Sequence, residues 1–165
     1  RSRDVSAARA AAGDGAHRAD PYGSTPRRPG PRSAQHPPPP FLIGGVSNPA
    51  LRRVVERGDG WLATALGPPE MAERIAALAA IAAKHGRAFD DIDLVYKIFL
   101  NPGDPTPGPD GGREIGSGSK TQIDDDLKAT LDAGFETVIV RYRGDSAAAQ
   151  MQQMETFAND IAPKL

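Results

Sequence analysis

Cysteine is absent from this chain of 165 residues, and histidine is scarce. Without cysteine, the chain has no disulfide framework, no thiolate nucleophile and no thiolate ligand for a metal. The three histidines are His17, His36 and His85, which lie in the proline-rich N-terminal region or at the end of a predicted helix. The sequence contains no GxSxG motif either, so we recognise no metal triad and no Ser-His-Asp arrangement. We expect no metal site.

Long hydrophobic runs are also absent, because no stretch approaches the ~18 consecutive apolar residues of a membrane-spanning helix. Residues 1–40 contain no Leu, Ile, Met, Phe or Trp, and they hold half of the sixteen prolines. Such a segment buries too little apolar surface to offset the ~1–2 kcal/mol per residue that ordering the backbone costs. We therefore expect residues 1–36 to be a disordered tail and residues 37–165 to form the folded domain. The tail has no secretory apolar core, so we expect a cytoplasmic protein without a membrane partner.

Positive charge is concentrated in the N-terminal region. Residues 1–40 carry seven Arg against three Asp, whereas the remainder has thirteen Lys and Arg against eighteen Asp and Glu. A basic tail can bind nucleic acid, but these arginines are scattered among Ala, Pro and Gly without lysine clusters or interleaved aromatics. We therefore expect no nucleic-acid partner. The same composition would also arise from out-of-frame reading of a GC-rich coding sequence.

The segment FLIGGVSNPALRRVVERGDGW, residues 41–61, combines a short apolar strand, a glycine turn and a helix start. Gly44 and Gly45 allow the backbone to approach a ligand closely, and Asn48 with Pro49 predicts a helix N-cap and first turn. Backbone N–H groups and the positive end of the helix dipole would then face an anion such as phosphate. An ordinary strand, turn and helix without a ligand is an equally good interpretation of this short motif.

The rest of the folded part alternates apolar strands with amphipathic helices. Strands are predicted at residues 41–43, 61–66, 93–100 and 137–142, and helices begin near Asn48, Pro69, Ser119 and Ser146. This alternation predicts parallel strands joined by crossover helices. Ser119 with Gln122 predicts a capping box, and the long loop 101–118 is of a kind that usually covers a site or is mobile.

The string IGGVSNPALRR followed by GDGW resembles the fifth and sixth strand region of the luciferase-like monooxygenase family. Many members of that family are oxidoreductases that depend on the deazaflavin coenzyme F-420. The strings DLVYKIFL, SKTQIDDDLKATLDAGF and TVIVRY continue the resemblance over about residues 33–165. The resemblance implies an α/β fold of the TIM type, but a whole (β/α) barrel needs about 250 residues. We therefore expect a fragment: the C-terminal half of the barrel, with four parallel strands in sequence order.

The resemblance also implies site residues. It places the cofactor phosphate against the turn made by Gly44, Gly45, Val46, Ser47 and Asn48. Thr64 falls where some sugar-phosphate-oxidising relatives contact substrate, but those relatives have a lysine at the position of Gly67, so a sugar phosphate is disfavoured. Arg141 is the second expected substrate contact, and Arg141 with Arg143 can equally be a solvent-facing pair. Catalytic residues stay unassigned, because the ring-binding residues lie mainly in the other half of the barrel.

The function that this resemblance implies is a flavin- or deazaflavin-dependent oxidoreductase or monooxygenase. It would transfer hydride between coenzyme F-420, or alternatively FMN, and a small organic substrate. The alternative is a non-catalytic flavin-phosphate-binding module or an inactive truncated fragment. We expect this fragment alone to be inactive and prone to associate into a homo-oligomer.

Overall fold

A computed structural model describes residue 35 and residues 37–108 and 111–165 of the chain. The predicted disordered tail, residues 1–36, lies outside the described residues except for Gln35.

Strands and helices alternate along the described part. The strands are β1 (Leu42–Gly44), β2 (Gly60–Thr64), β3 (Asp93–Pro102), β4 (Ser117–Gly118) and β5 (Thr137–Tyr142). The α-helices are α1 (Asn48–Arg57), α2 (Pro68–Lys84), α3 (Lys120–Asp132) and α4 (Ala147–Thr156). Short 3-10 turns occur at Phe89–Asp91 and Ala162–Lys164, and a π-helical turn at Phe157–Ile161 follows α4.

The sheet has the predicted parallel order. β1 pairs with β2, β2 with β3 and β3 with β5, and all three pairings are parallel. These four strands therefore lie side by side in sequence order. The register aligns Gly44 with Leu62, Leu62 with Val95, and Val95 with Thr137. These pairings confirm the predicted α/β sheet with crossover helices.

Side chains alternate between the two faces of each strand, and the helices cover one of these faces. This face carries Trp61, Ala63, Tyr96, Ile98 and Leu100, all buried. Against it lie the apolar stripes of the helices, namely Leu51 and Val54 of α1, Met71 and Leu78 of α2, and Ile123 and Leu127 of α3. The core of the protein is therefore the layer between the sheet and its helices.

The opposite face of the sheet is open within the described part of the chain. Leu62, Thr64, Lys97 and Phe99 lie on it only partly buried, and Ile139 is 39% exposed. In a complete (β/α) barrel this face would be the interior, packed by the side chains of the other strands. Among the described residues, the outer edges of β1 and β5 are also unpaired, so the sheet is open on one face and at both edges, as in half of a (β/α) barrel.

Two predictions about the chain's connections were wrong in detail. β2 ends at Thr64, not at residue 66, because Ala65 adopts a left-handed backbone conformation with φ 56°. The predicted loop 101–118 is partly ordered: β3 continues to Pro102, and β4 pairs with its last residues, Asn101 with Ser117 and Pro102 with Gly118.

Side chains hold the described parts of this segment, residues 103–108 and 111–118, in place from both sides. Arg113 forms a bidentate ion pair with Asp126 of α3, with N–O distances of 2.8 and 2.6 Å. Asp126 also accepts the Gly116 N–H at 2.7 Å. On the other side, Glu114 pairs with Arg143, which directly follows β5, through two contacts of 2.7 Å. The segment is thus tied across the carboxyl ends of β3 and β5.

The open face should make the chain self-associate at micromolar concentration, because an uncovered apolar sheet surface and unpaired strand edges favour contact between copies. Ile139→Lys should weaken the association at least about threefold, since it removes about 1 kcal/mol of apolar burial and adds charge. Leu131→Lys on α3, also an exposed apolar position, is the control. Sedimentation velocity measures the effect. A monomer that unfolds in one sharp cooperative transition would contradict this prediction.

Candidate functional site

The turn between β1 and α1 presents residues 44–48 to solvent, all five of them exposed. The N-cap of α1 is Ser47, whose Oγ accepts the Ala50 N–H at 3.4 Å. Asn48, predicted as the cap, is instead the first helical residue, and its Oδ1 accepts from Arg74 at 3.2 Å. The prediction missed the cap by one residue because Ser and Asn are both good caps and Pro49 fits either of the first two helical positions.

The first turn of α1 has few backbone donors left for a ligand. Pro49 has no N–H, the Ala50 N–H is capped by Ser47, and the Leu51 N–H donates to the Ser47 carbonyl at 3.0 Å. Within the described residues, Asn48 therefore supplies the remaining N–H of this helix end. The Ser47 hydroxyl keeps its own hydrogen to donate.

Trp61 holds the glycine turn against β2. Its indole Nε1 donates to the Gly45 carbonyl at 2.8 Å, and the side chain is fully buried. Gly45 has φ 109°, and a Cβ there would lie 2.9 Å from the Ala50 Cβ. A side chain at Gly45 would therefore strain the turn itself. A Cβ at Gly44 would come only within 3.8 Å of the Leu62 carbonyl, so Gly44 is the glycine that leaves room beside the sheet.

Thr64 ends β2 at the same end of the sheet as this turn. Its hydroxyl donates to the Lys97 carbonyl on β3 at 3.0 Å. The backbone after the strained Ala65 is anchored by the buried Tyr96. The Tyr96 hydroxyl donates to the Leu66 carbonyl at 2.8 Å and accepts the Leu66 N–H at 3.1 Å. Burial raises the pKa of Tyr96 to about 12. The phenol therefore stays protonated at neutral pH and keeps donating to Leu66.

Three cationic side chains surround the Phe99 ring on the open face. Lys97 Nζ lies 5.3 Å from the ring centroid, Arg141 Cζ 5.4 Å and Arg143 Cζ 5.0 Å, all within cation–π range. Arg143 is paired with Glu114. Within the described part of the chain, Lys97 and Arg141 form no ion pair.

The two predicted substrate contacts, Thr64 and Arg141, lie on the two strands that flank β3. Thr64 is the register partner of Lys97, and Arg141 is the register partner of Phe99, so β3 lies between them. Sequence reasoning missed Lys97 and Phe99. The signal was present, because Lys97 and Phe99 alternate with buried Tyr96, Ile98 and Leu100 in DLVYKIFL, which places both on the face away from the helices.

No three His, Asp or Glu residues in the described ranges are placed to hold a metal ion. A groove of about 350 Å³ runs from the amino ends of the strands as far as Ile139, and it is lined by Pro40, Leu42, Asp93 and Thr137 among others. Active sites of α/β barrels lie at the carboxyl ends of the strands, so this groove is not the candidate site. None of the described helices is both long and apolar enough to cross a membrane.

A family model described as luciferase-like monooxygenase matches residues 7–105 of the chain. The chain belongs to this family. The match includes the Gly44–Asn48 turn and Thr64, and it begins and ends earlier than the resemblance over residues 33–165. No curated protein matches the chain significantly.

Solved structures of flavin and deazaflavin enzymes share the fold of this luciferase-like chain. The F-420-dependent tetrahydromethanopterin reductase from Methanopyrus kandleri is 16% identical with a TM-score of 0.64, covering 86% of this chain and 55% of the reductase. An F-420-dependent secondary alcohol dehydrogenase, in complex with an F-420-acetone adduct, is 9% identical with a TM-score of 0.59, covering 86% of this chain and 52% of its own.

A riboflavin lyase with modified FMN and riboflavin is 15% identical with a TM-score of 0.58, covering 87% of this chain and 46% of the lyase. At such low identities the likeness shows the fold alone. The chain spans about half the length of the solved structures it matches.

Proposed function

We propose that this luciferase-like chain forms the cofactor-phosphate and substrate side of an oxidoreductase that transfers hydride between a flavin or deazaflavin and an organic substrate. The observation that carries the proposal is the exposed Gly44–Asn48 turn at the carboxyl end of β1, in a chain of this family. A cytoplasmic location is part of the same proposal, and cell fractionation tests it.

The turn suits a phosphorylated cofactor in three respects. Gly44 leaves space beside the sheet, the Asn48 N–H begins a helix of ten residues, and the Ser47 hydroxyl can donate. The helix dipole favours a negative group at this end. Coenzyme F-420 and FMN both carry phosphate, so the turn accepts either, and we propose F-420 with FMN as the alternative.

The chain's own residues bind and orient in this proposal. When bound, the flavin or deazaflavin ring supplies the redox chemistry. The hydrogen bond from the Trp61 indole to the Gly45 carbonyl keeps the phosphate turn at a constant distance from β2. Thr64 and Arg141 contact the organic substrate, and Tyr96 fixes the backbone just after Thr64.

Ser47→Ala should weaken FMN or F-420 binding by about 1–2 kcal/mol, because one hydroxyl donor is lost while backbone donors remain. Ser146→Ala is the matched control, since Ser146 caps α4 in the same way by accepting the Ala149 N–H at 3.2 Å. Both variants lose a helix cap, but only the first should lose cofactor affinity. Titration of each cofactor, followed by fluorescence, measures the effect. Equal affinities in the two variants would contradict the proposed phosphate site.

The second candidate function is a non-catalytic flavin-phosphate-binding module or an inactive fragment. It is favoured by the sheet face that is open in the described part of the chain, where Leu62, Thr64 and Phe99 are only partly buried, because a hydride-transfer site must exclude water. Cofactor binding without any turnover, in a completed barrel, would support it.

A further inference from the structure

We infer that Lys97, Phe99 and Arg141 form an anion subsite on the open face of the sheet, which binds the acidic group of an organic substrate. This subsite rests on the proposed function and deepens it by naming the substrate class: a carboxylate or a phosphate monoester attached to an apolar group. A neutral alcohol, ketone or alkane would make no use of the two cations.

Lys97 and Arg141 carry positive charges that no carboxylate in the described part of the chain pairs with. Lys97 and Arg141 contact the same Phe99 ring, and Glu114 neutralises Arg143 instead of either of them. Two like charges crowded onto one ring repel each other unless an anion lies between them. Among the described acidic residues, Asp93 and Glu136 lie at the opposite ends of β3 and β5. Glu114 lies beside the cluster, but both of its carboxylate oxygens are already bound by Arg143.

The subsite lies where two strands end. Lys97, midway along β3, lies beside Thr64, the last residue of β2, and Phe99 lies beside Arg141, the last but one of β5. Substrates of α/β barrels bind at this end. The Thr64 hydroxyl already donates its hydrogen to the Lys97 carbonyl, so the acidic group of the ligand is bound by Lys97 and Arg141 and not by Thr64.

The subsite combines cationic and apolar side chains. The Phe99 ring is half-buried beside the two cations, and the exposed Ile139 is the register partner of Lys97. Cations that bind an acidic group next to an aromatic and an aliphatic surface favour an organic anion over an inorganic one, because the apolar part of the ligand is desolvated there.

The test uses the full 165-residue chain and four probes at constant ionic strength: phenyl phosphate, benzoate, inorganic phosphate and benzyl alcohol. Titrations followed by amide NMR should shift signals near the ends of β3 and β5 with both organic anions. Inorganic phosphate should bind at least about threefold more weakly, since it lacks the apolar contact. Benzyl alcohol should leave these signals unchanged.

Lys97→Met and Arg141→Met should each weaken phenyl phosphate binding about three- to tenfold. The expected loss is not larger because both ion contacts would stay partly exposed to water, which weakens them. The matched controls are Lys84→Met at the end of α2 and Arg57→Met at the end of α1, which remove the same charges elsewhere. Arg141 is exposed, so Arg141→Met should fold even if Lys97→Met does not.

Equal binding of benzyl alcohol and benzoate, or equal losses in the variants and the controls, would overturn the inference. Loss of phenyl phosphate binding in Ser47→Ala but not in Arg141→Met would overturn it too, because the probe would then occupy the phosphate turn. Failure of the proposed function has a different signature: neither cofactor binds, while phenyl phosphate still binds and responds to Arg141→Met.

Discussion

Joining this chain to the four N-terminal βα units of a luciferase-like barrel should raise oxidoreductase turnover far above that of the 165 residues by themselves. The expected gain is at least about 10⁵-fold, because holding two reactants in near-attack geometry corresponds to effective molarities of that order or more. In the chain alone, the sheet face that would enclose the reaction is open to solvent, with Ile139 39% exposed. The two halves would be fused or mixed, with the junction placed before β1.

The measurements are binding of F-420 and FMN, followed by oxidation or reduction of the bound cofactor with a panel of alcohols, ketones and organic acids. The N-terminal half by itself is the control. If the completed barrel bound neither cofactor, the oxidoreductase proposal would be abandoned in favour of the inactive-fragment alternative.

Asp126→Ala should lower the free energy of unfolding by about 3 kcal/mol, which is a large share of the stability of a small domain. Asp126 is 8% exposed and accepts from both terminal nitrogens of Arg113 and from the Gly116 N–H. Its removal leaves a partly buried guanidinium and a buried N–H without their acceptor. The ion pair raises the pKa of Arg113 in the native protein. Without Asp126 the guanidinium still keeps its charge, because arginine does not lose its proton at neutral pH.

Asp125→Ala is the matched control, because Asp125 is the exposed neighbour on the same helix and should change stability by no more than about 0.5 kcal/mol. Urea unfolding of the two variants measures the difference. The double variant Arg113→Met with Asp126→Leu should recover part of the loss, since it removes the unpaired charge. Similar midpoints for Asp126→Ala and Asp125→Ala would refute this role.

Local pattern was enough to predict much of the fold. The apolar strands and amphipathic helices recur in an order that allows only a parallel sheet with crossover helices, and the structure has that sheet. The capping box of α3 is also present, with Ser119 and Gln122 bonding each other's backbone N–H groups. These features depend on residues that are neighbours in sequence, so a single segment carries the information.

The candidate site was predicted only in part. Gly44, Gly45 and the helix start are contiguous in sequence and could be recognised as a possible phosphate turn. The exact cap, Ser47 instead of Asn48, depended on backbone angles that two good capping residues compete to adopt. The Trp61 bond to Gly45 spans sixteen residues, and no local pattern indicates it.

The sequence alone thus determined the four main strands, the helices, their order and the faces that α1, α2 and α3 bury, because these follow from the spacing of apolar residues. It did not determine the packing of α4, whose Met151 and Met154 are exposed. Only the tertiary structure decided which side chains meet. Parallel register brings Lys97 beside Thr64 and Phe99 beside Arg141, although each pair is more than thirty residues apart. The same holds for β4, whose pairing with β3 turns a predicted loop into an ordered segment. Such contacts join strands that are far apart in sequence, and their register is set by the packing of the whole sheet.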